Sequence, residues 1–147
     1  KDLHFAEDAR SKLISGISKM AKAVKSTLGP MGNTVLIESN QHTHGITVTK
    51  DGVTVAKSIQ LLDPVENLAV QMMREAASRT AANAGDGTTT AIVLTEALVE
   101  KGSELLENAD NKPQVLRDMV SVTNEIVGNL KKRSKAVSKN KLLDVCN

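Results

Sequence analysis

The sequence predicts a mainly α domain carrying one β-hairpin, and three features of its 147 residues point there. Apolar residues recur every three or four positions along four long stretches, the spacing that lines one face of a helix. Two short β-branched runs lie within residues 34–49, where a polar interval separates them. Glycine- and proline-bearing turns fall between these stretches, where regular structure has to stop.

The first helix is expected from about Asp8 to Thr27, with Leu13, Ile17, Met20 or Ala21, Val24 and Leu28 as its stripe. Gly29, Pro30 and Gly32 end it, because proline lacks the amide proton a helix needs and glycine accepts positive φ. Thr34 to Glu38 and Ile46 to Thr49 then read as two strands of a hairpin, with a long polar tip from Ser39 to Gly45.

Lys50, Asp51 and Gly52 form a turn, followed by a short apolar segment. Asp63 and Pro64 open the second helix, since proline suits the first helical position. Val65, Leu68, Met72 and Ala76 mark its stripe, and Gly85 follows its end near Ala84. The third helix begins in the threonine run after Gly87 and carries Ile92, Val93, Leu94, Ala97, Leu98 and Leu105 to about Glu107. The fourth starts at Pro113, with Leu116, Met119, Val120, Thr123, Ile126, Val127 and Leu130. The tail from Ser134 is polar first and apolar at Leu142, Leu143 and Val145, as a new segment would be.

Composition narrows the function. Apolar residues at 40% and charged residues at 24% are ordinary for a globular chain. Phe5 is the one aromatic residue, so the core must be aliphatic, and the five methionines read as its fillers. Reading of single-stranded nucleic acid usually needs aromatic stacking as well as charge, and the net charge is only +2, so no nucleic-acid partner is expected. Lys131, Lys132, Arg133 and Lys135 suit a solvated helix C-terminus.

Cys146 is alone, which rules out an internal disulfide. With no run of about 18 apolar residues, no transmembrane helix is expected. Lys1 to Arg10 lack a signal-peptide core, and a start at Lys1 rather than Met is compatible with a removed presequence. His42 and His44 lie in the polar hairpin tip with no acidic or thiol partner at ligand spacing, and read as solvated.

The chemistry concentrates in three turns. Gly85, Asp86, Gly87, Thr88, Thr89 and Thr90 sit where one helix ends and the next begins. A helix N-terminus offers free amides, glycines let phosphate approach the backbone, and the hydroxyls add donors. Asp86 supplies the hard oxygen by which Mg²⁺ is held beside phosphates. Thr27, Leu28, Gly29 and Pro30, with Met31 and Gly32, form a second exposed-backbone turn. Thr49, Lys50, Asp51 and Gly52 form a third, with a cation for phosphate and a carboxylate to orient an attacking water. Taken singly, each turn also has an ordinary reading, as an N-cap, a C-cap and a tight turn.

In this order and at these separations, the turns TLGP, KDG and GDGTTT resemble the group I (GroEL-type) chaperonins, as do Asp8, Ala9 and Arg10, TLGPMGNTV and KDGVTVAKSI. The resemblance implies an incomplete helical equatorial domain over residues 1–133, with an intermediate domain starting at 134–147. It implies that Thr27, Leu28, Gly29 and Pro30 line ATP, that Lys50 lies near its phosphates, and that Gly87, Thr88, Thr89 and Thr90 hold them. Asp86 would bind Mg²⁺, K⁺ is a further cation to consider, and Asp51 would be catalytic, positioning or activating the water that attacks the γ-phosphate.

Implied partners are identical subunits in a seven-fold ring, unfolded client proteins and a cochaperonin. The implied location is the cytoplasm of a bacterium or a virus's host, or a mitochondrial matrix or plastid where a presequence has been removed. The rival reading is a non-catalytic fragment acting in chaperonin assembly or interaction. Two stretches depart from the family: the hairpin tip is about two residues longer, which bears on strand pairing with a neighbouring subunit, and Glu107 to Lys112 is more polar, which leaves single and double rings both open.

Overall fold

The computed structural model describes residues 6–39, 45–138 and 141. The hairpin tip with His42 and His44, and the end of the tail with Leu142, Leu143, Val145 and Cys146, lie outside them. The described residues form α1 (Ala6–Lys25), β1 (Val35–Ser39), β2 (Gly45–Thr49), α2 (Gly52–Ser58), α3 (Pro64–Ala84), α4 (Thr88–Glu107) and α5 (Lys112–Arg133). This is the predicted mainly α architecture with one antiparallel hairpin, registered with Val35 opposite Thr49 and Ile37 opposite Thr47. No described helix is long and apolar enough to cross a membrane.

The helix ends follow from capping chemistry. Asp63 caps α3, its Oδ1 accepting from the amides of Val65 at 2.8 Å and Glu66 at 3.1 Å, with Pro64 in the first position. Gly85 closes the other end at φ +74°, a left-handed conformation that costs glycine little. Asn111 caps α5, which therefore starts at Lys112, one residue before the expected Pro113. α1 stops at Lys25 rather than Thr27, and Thr27 turns its hydroxyl back onto the Val24 carbonyl at 2.8 Å. The segment after the Lys50–Gly52 turn is a seven-residue helix, α2, that the apolar pattern was too short to reveal.

The chain divides into two compact units at Ser103/Glu104. In the first, the core is Met20, Ala21 and Val24 of α1, Val55 and Ala56 of α2, Val70, Met73 and Ala77 of α3, and Ile92 of α4, flanked by Ile17, Val35 and Ile37. Helices α1 and α3 approach closely at Gly16, which lies against the backbone of Glu66. Beside that crossing Lys19 Nζ pairs with both Glu66 oxygens at 2.5 and 2.6 Å, and Ser15 Oγ donates to Glu66 at 2.7 Å. The link between α2 and α3 is pinned by Arg74, which donates to the Ile59 carbonyl at 2.5 Å, and by Asn67, which accepts the Leu61 amide at 3.1 Å.

Two expectations about burial need correction. The buried face of α3 is Ala69, Val70, Met73 and Ala77, one position on from the expected Leu68, Met72 and Ala76, which are exposed. α3 is apolar on two faces, and the one with smaller residues meets α1 because a close crossing at Gly16 has no room for the larger. The methionines are likewise not all fillers: Met20 and Met73 are core, whereas Met31 is 93% exposed and Met72 also faces water. In the second unit α5 buries no residue and ends in the basic turn Lys131, Lys132, Arg133, as expected for a solvated terminus.

Candidate functional site

The first turn is closed by its own backbone. The amides of Thr27 and Leu28 donate to Val24 and Lys25 at 3.0 and 3.1 Å, Gly32 to Gly29 at 3.0 Å, and Asn33 to Ser26 at 2.7 Å. Gly29 takes φ +81° with nothing within 4 Å of where a Cβ would stand. Gly32 is required for space, since a Cβ there would overlap the Thr27 carbonyl. Leu28, Gly29, Pro30 and Met31 are thereby exposed, and their backbone is open to a ligand.

The second turn is organised by Asp51. Its amide donates to Thr49 Oγ1 at 2.9 Å, and its carboxylate caps α2, accepting from the amides of Val53 at 3.2 Å and Thr54 at 3.0 Å and from the Thr54 hydroxyl at 2.6 Å. The Thr54 hydroxyl, the two amides and the Lys57 charge hold the Asp51 carboxyl below its ordinary value of 3.8. Asp51 is thus an anion at neutral pH, exposed, and able to orient a donor such as water. Lys50 beside it is exposed.

The third turn runs from the end of α3 to the start of α4. Gly85 and Gly87, at φ +74° and +86°, flank Asp86, so the chain reverses with the carboxylate outward. Asp86 Oδ1 accepts the Gly87 amide at 2.6 Å. α4 begins at Thr88, and its first-turn amides have no carbonyls four residues back within the helix to bond, which makes this end an anion-binding feature. The three threonines diverge at about 100° per residue: Thr88 is buried, Thr89 half-buried and Thr90 exposed.

Gly52 brings the second and third turns together. A Cβ on it would overlap the Thr89 hydroxyl and lie 3.3 Å from Val24 Cγ1. So the residue after Asp51 packs at once against the first turn of α4 and against the end of α1, just before Thr27. The structure therefore brings the Lys50–Gly52 turn against the first turn of α4 at one glycine, beside Val24 near the end of α1. Asp86 has no metal-ligating cluster around it: among the described residues no group of three His, Cys, Asp or Glu could hold a metal ion. A cation at Asp86 would need oxygens from a ligand or water, which is how Mg²⁺ is held on nucleotides.

One polar residue of the buried faces escaped the sequence reading. Glu96 lies inward on α4 with Thr88 and Ile92, paired with Lys25 of α1 and accepting from Ser18. Its four-residue spacing from Ile92 was the available signal.

Comparison with known proteins bears on the family and the fold. A sequence model of the TCP-1/cpn60 chaperonin family matches residues 20–147. Two crystal forms of the chaperonin gp146 from the bacteriophage EL 2 (Pseudomonas aeruginosa), both obtained in the presence of ATP-BeFx, superpose with TM-scores of 0.78 and 0.77 at 32% identity. Each covers 90% of this chain, while this chain spans only 22% and 23% of theirs. The helical fold with its hairpin, the family match over residues 20–147 and the likeness to gp146 together place the chain in the TCP-1/cpn60 chaperonin family.

Proposed function

We propose that this chain is the equatorial part of an ATP-driven chaperonin subunit, in which binding and hydrolysis of Mg-ATP drive ring movements that assist the folding of other proteins. The observation that carries the reading is the packing of Gly52 on Thr89 and Val24, which brings the turn holding the Asp51 carboxylate against the open N-terminus of α4. Solved gp146 was crystallised with ATP-BeFx, which fits the same ligand class.

In this reading Thr27, Leu28, Gly29 and Pro30 line the nucleotide with exposed backbone. Gly87 and the amides and hydroxyls of Thr88, Thr89 and Thr90 hold the phosphates, with Lys50 adding positive charge. Asp86 would hold Mg²⁺, which when bound neutralises phosphate charge; K⁺ is a second candidate cation. Asp51, kept ionised by Thr54, accepts a hydrogen bond from the water that attacks the γ-phosphate and fixes its orientation. Residues 1–133 would belong to the equatorial domain and 134–147 to the start of an intermediate one. The partners would be identical subunits in a seven-fold ring, unfolded clients and a cochaperonin, in the cytoplasm or an organelle matrix.

A non-catalytic role in assembly is the second reading, favoured by the exposed apolar residues Leu94, Leu98 and Leu105 of α4. Mg²⁺-dependent ATP binding and turnover, measured with particle mass for the native protein, Asp51→Ala and Asp86→Ala, separates the two. Ring-sized particles whose turnover drops in both variants support the ATPase. A chain that assembles but neither binds nor turns over ATP supports the assembly role.

A further inference from the structure

Glu96 is a carboxylate on the buried face of α4, only 4% exposed. Its Oε2 pairs with Lys25 Nζ, and its Oε1 accepts from Ser18 Oγ at 3.3 Å. Oε2 takes no hydrogen bond apart from that ion pair. Taking a carboxylate out of water costs several kcal/mol before its partner offsets it, and an apolar side chain could fill such a position at least as well. Stability alone therefore does not account for the charge.

The partners show what the charge connects. Lys25 is the last residue of α1, and its carbonyl accepts the Leu28 amide, while the Val24 carbonyl accepts both the amide and the hydroxyl of Thr27. The Thr27–Pro30 turn thus hangs from the residue that Glu96 grips. Glu96 itself lies two turns along α4 from Thr88, whose helix end forms the third turn. Helices are stiff over this length, so the Lys25–Glu96 pair, together with the shared core of Met20, Val24 and Ile92, limits how far the two turns can move apart.

We propose that Glu96 is a positioning residue which, through Lys25, sets the spacing between the Thr27–Pro30 turn and the N-terminus of α4, so that one nucleotide meets both at once. The inference rests on the nucleotide-binding reading of that site.

The test uses the full-length subunit and titration with Mg-ATP, with thermal melting in parallel. Glu96→Gln keeps the shape and the Ser18 contact but removes the charge, and should weaken Mg-ATP binding about tenfold, since small misplacements of binding groups cost that much or more. Turnover at saturating ATP should fall less than about threefold, because the turns can still be brought together by ligand. Lys25→Met should match Glu96→Gln, the double variant should be no worse than either, and Lys25→Arg should bind as the native protein does.

Native affinity in Glu96→Gln with only a lowered melting temperature would overturn the proposal in favour of a purely structural pair. Weak binding in Lys25→Met with native binding in Glu96→Gln would overturn it too, since Lys25 would then touch nucleotide directly. A native subunit that does not bind Mg-ATP at all would remove the nucleotide reading itself. If Glu96→Gln fails to fold, the Lys25→Met and Lys25→Arg pair carries the test, because Lys25 is 45% exposed.

Discussion

Gly52 has no space for a side chain on the face it turns to Thr89: a Cβ there would overlap the Thr89 hydroxyl and stand 3.4 Å from the Thr89 Cβ. The contact joins the start of α2 to the start of α4, so the second and third turns keep their spacing only while residue 52 is a glycine.

Gly52→Ala should therefore lower stability by about 1–3 kcal/mol, the usual cost of overfilling a packed site. Thr89→Ala removes the overlapping oxygen, so Gly52→Ala/Thr89→Ala should recover most of the loss. Urea denaturation of the two single variants and the double checks this. A double variant no more stable than Gly52→Ala would place the obstruction elsewhere, with Val24 Cγ1 the next neighbour at 3.3 Å.

Asp51 caps α2, and its proposed role in ATP turnover can be separated from that cap. Asparagine caps a helix about as well as aspartate, so Asp51→Asn should keep stability within about 0.5 kcal/mol, whereas Asp51→Ala should cost about 1 kcal/mol. Both should reduce ATP turnover by about a hundredfold in the full-length subunit, the scale of a lost acid–base or water-orienting group. Equal turnover in Asp51→Asn and the native protein would leave Asp51 as a cap alone.

Gly16→Ala tests the α1–α3 crossing. Alanine gains up to about 1 kcal/mol of helix propensity over glycine. The Cβ would nevertheless overlap the Glu66 carbonyl and lie 2.9 Å from the Glu66 Cα, and backbone cannot rotate away. The overpacking cost of about 1–3 kcal/mol should win, giving net destabilisation in chemical denaturation.

Acid should destabilise the fold through a small set of carboxylates. The Glu66 amide and Lys12 lower the Asp63 pKa from its ordinary 3.8, Lys19 and Ser15 lower that of Glu66 from 4.5, and the Thr54 hydroxyl lowers that of Asp51. A carboxyl whose folded pKa lies below its unfolded one adds stability above the unfolded value, and that stability is lost as pH falls through the folded one. Melting temperature should thus be flat from pH 7 to just above 4.5 and fall below it. Asp63→Asn, which still caps but cannot titrate, should shallow that fall.

Burial separates the methionines. Met20→Ala should cost about 2–5 kcal/mol, the range for emptying a fully buried site. Met31→Ala, at a residue 93% exposed, should change stability by less than about 0.5 kcal/mol. Thermal melting of both distinguishes the core from the surface.

Much of this fold is legible in the sequence because its punctuation is chemical. Asp63 with Pro64, Gly85 after Ala84 and Pro113 mark helix ends through local chemistry, which depends on neighbours in the chain. Faces are less legible, because α3 is apolar on two sides and only the crossing at Gly16 decides which one is covered. α2 was invisible for a related reason: seven residues are under two turns, too few for a period to show. Of the site, the three turns could be read from residue type, but not the meeting of the second and third at Gly52, since nothing local tells a glycine what it will touch. Glu96 was missed because a glutamate at helical spacing reads as a solvated face unless the partner on another helix is known.

The packing of α1 on α3 also has a consequence in time. Ser15 and its partner Glu66 are 51 residues apart, and at roughly 5–20 residues per second a ribosome takes about 3–10 s to make the interval. For most of those seconds Met20, Ala21 and Val24 have been synthesised and Val70 and Met73 have not. Helix α1 therefore waits for the α3 residues that cover it, and slowing synthesis between them would lengthen the interval in which the nascent chain is open to aggregation.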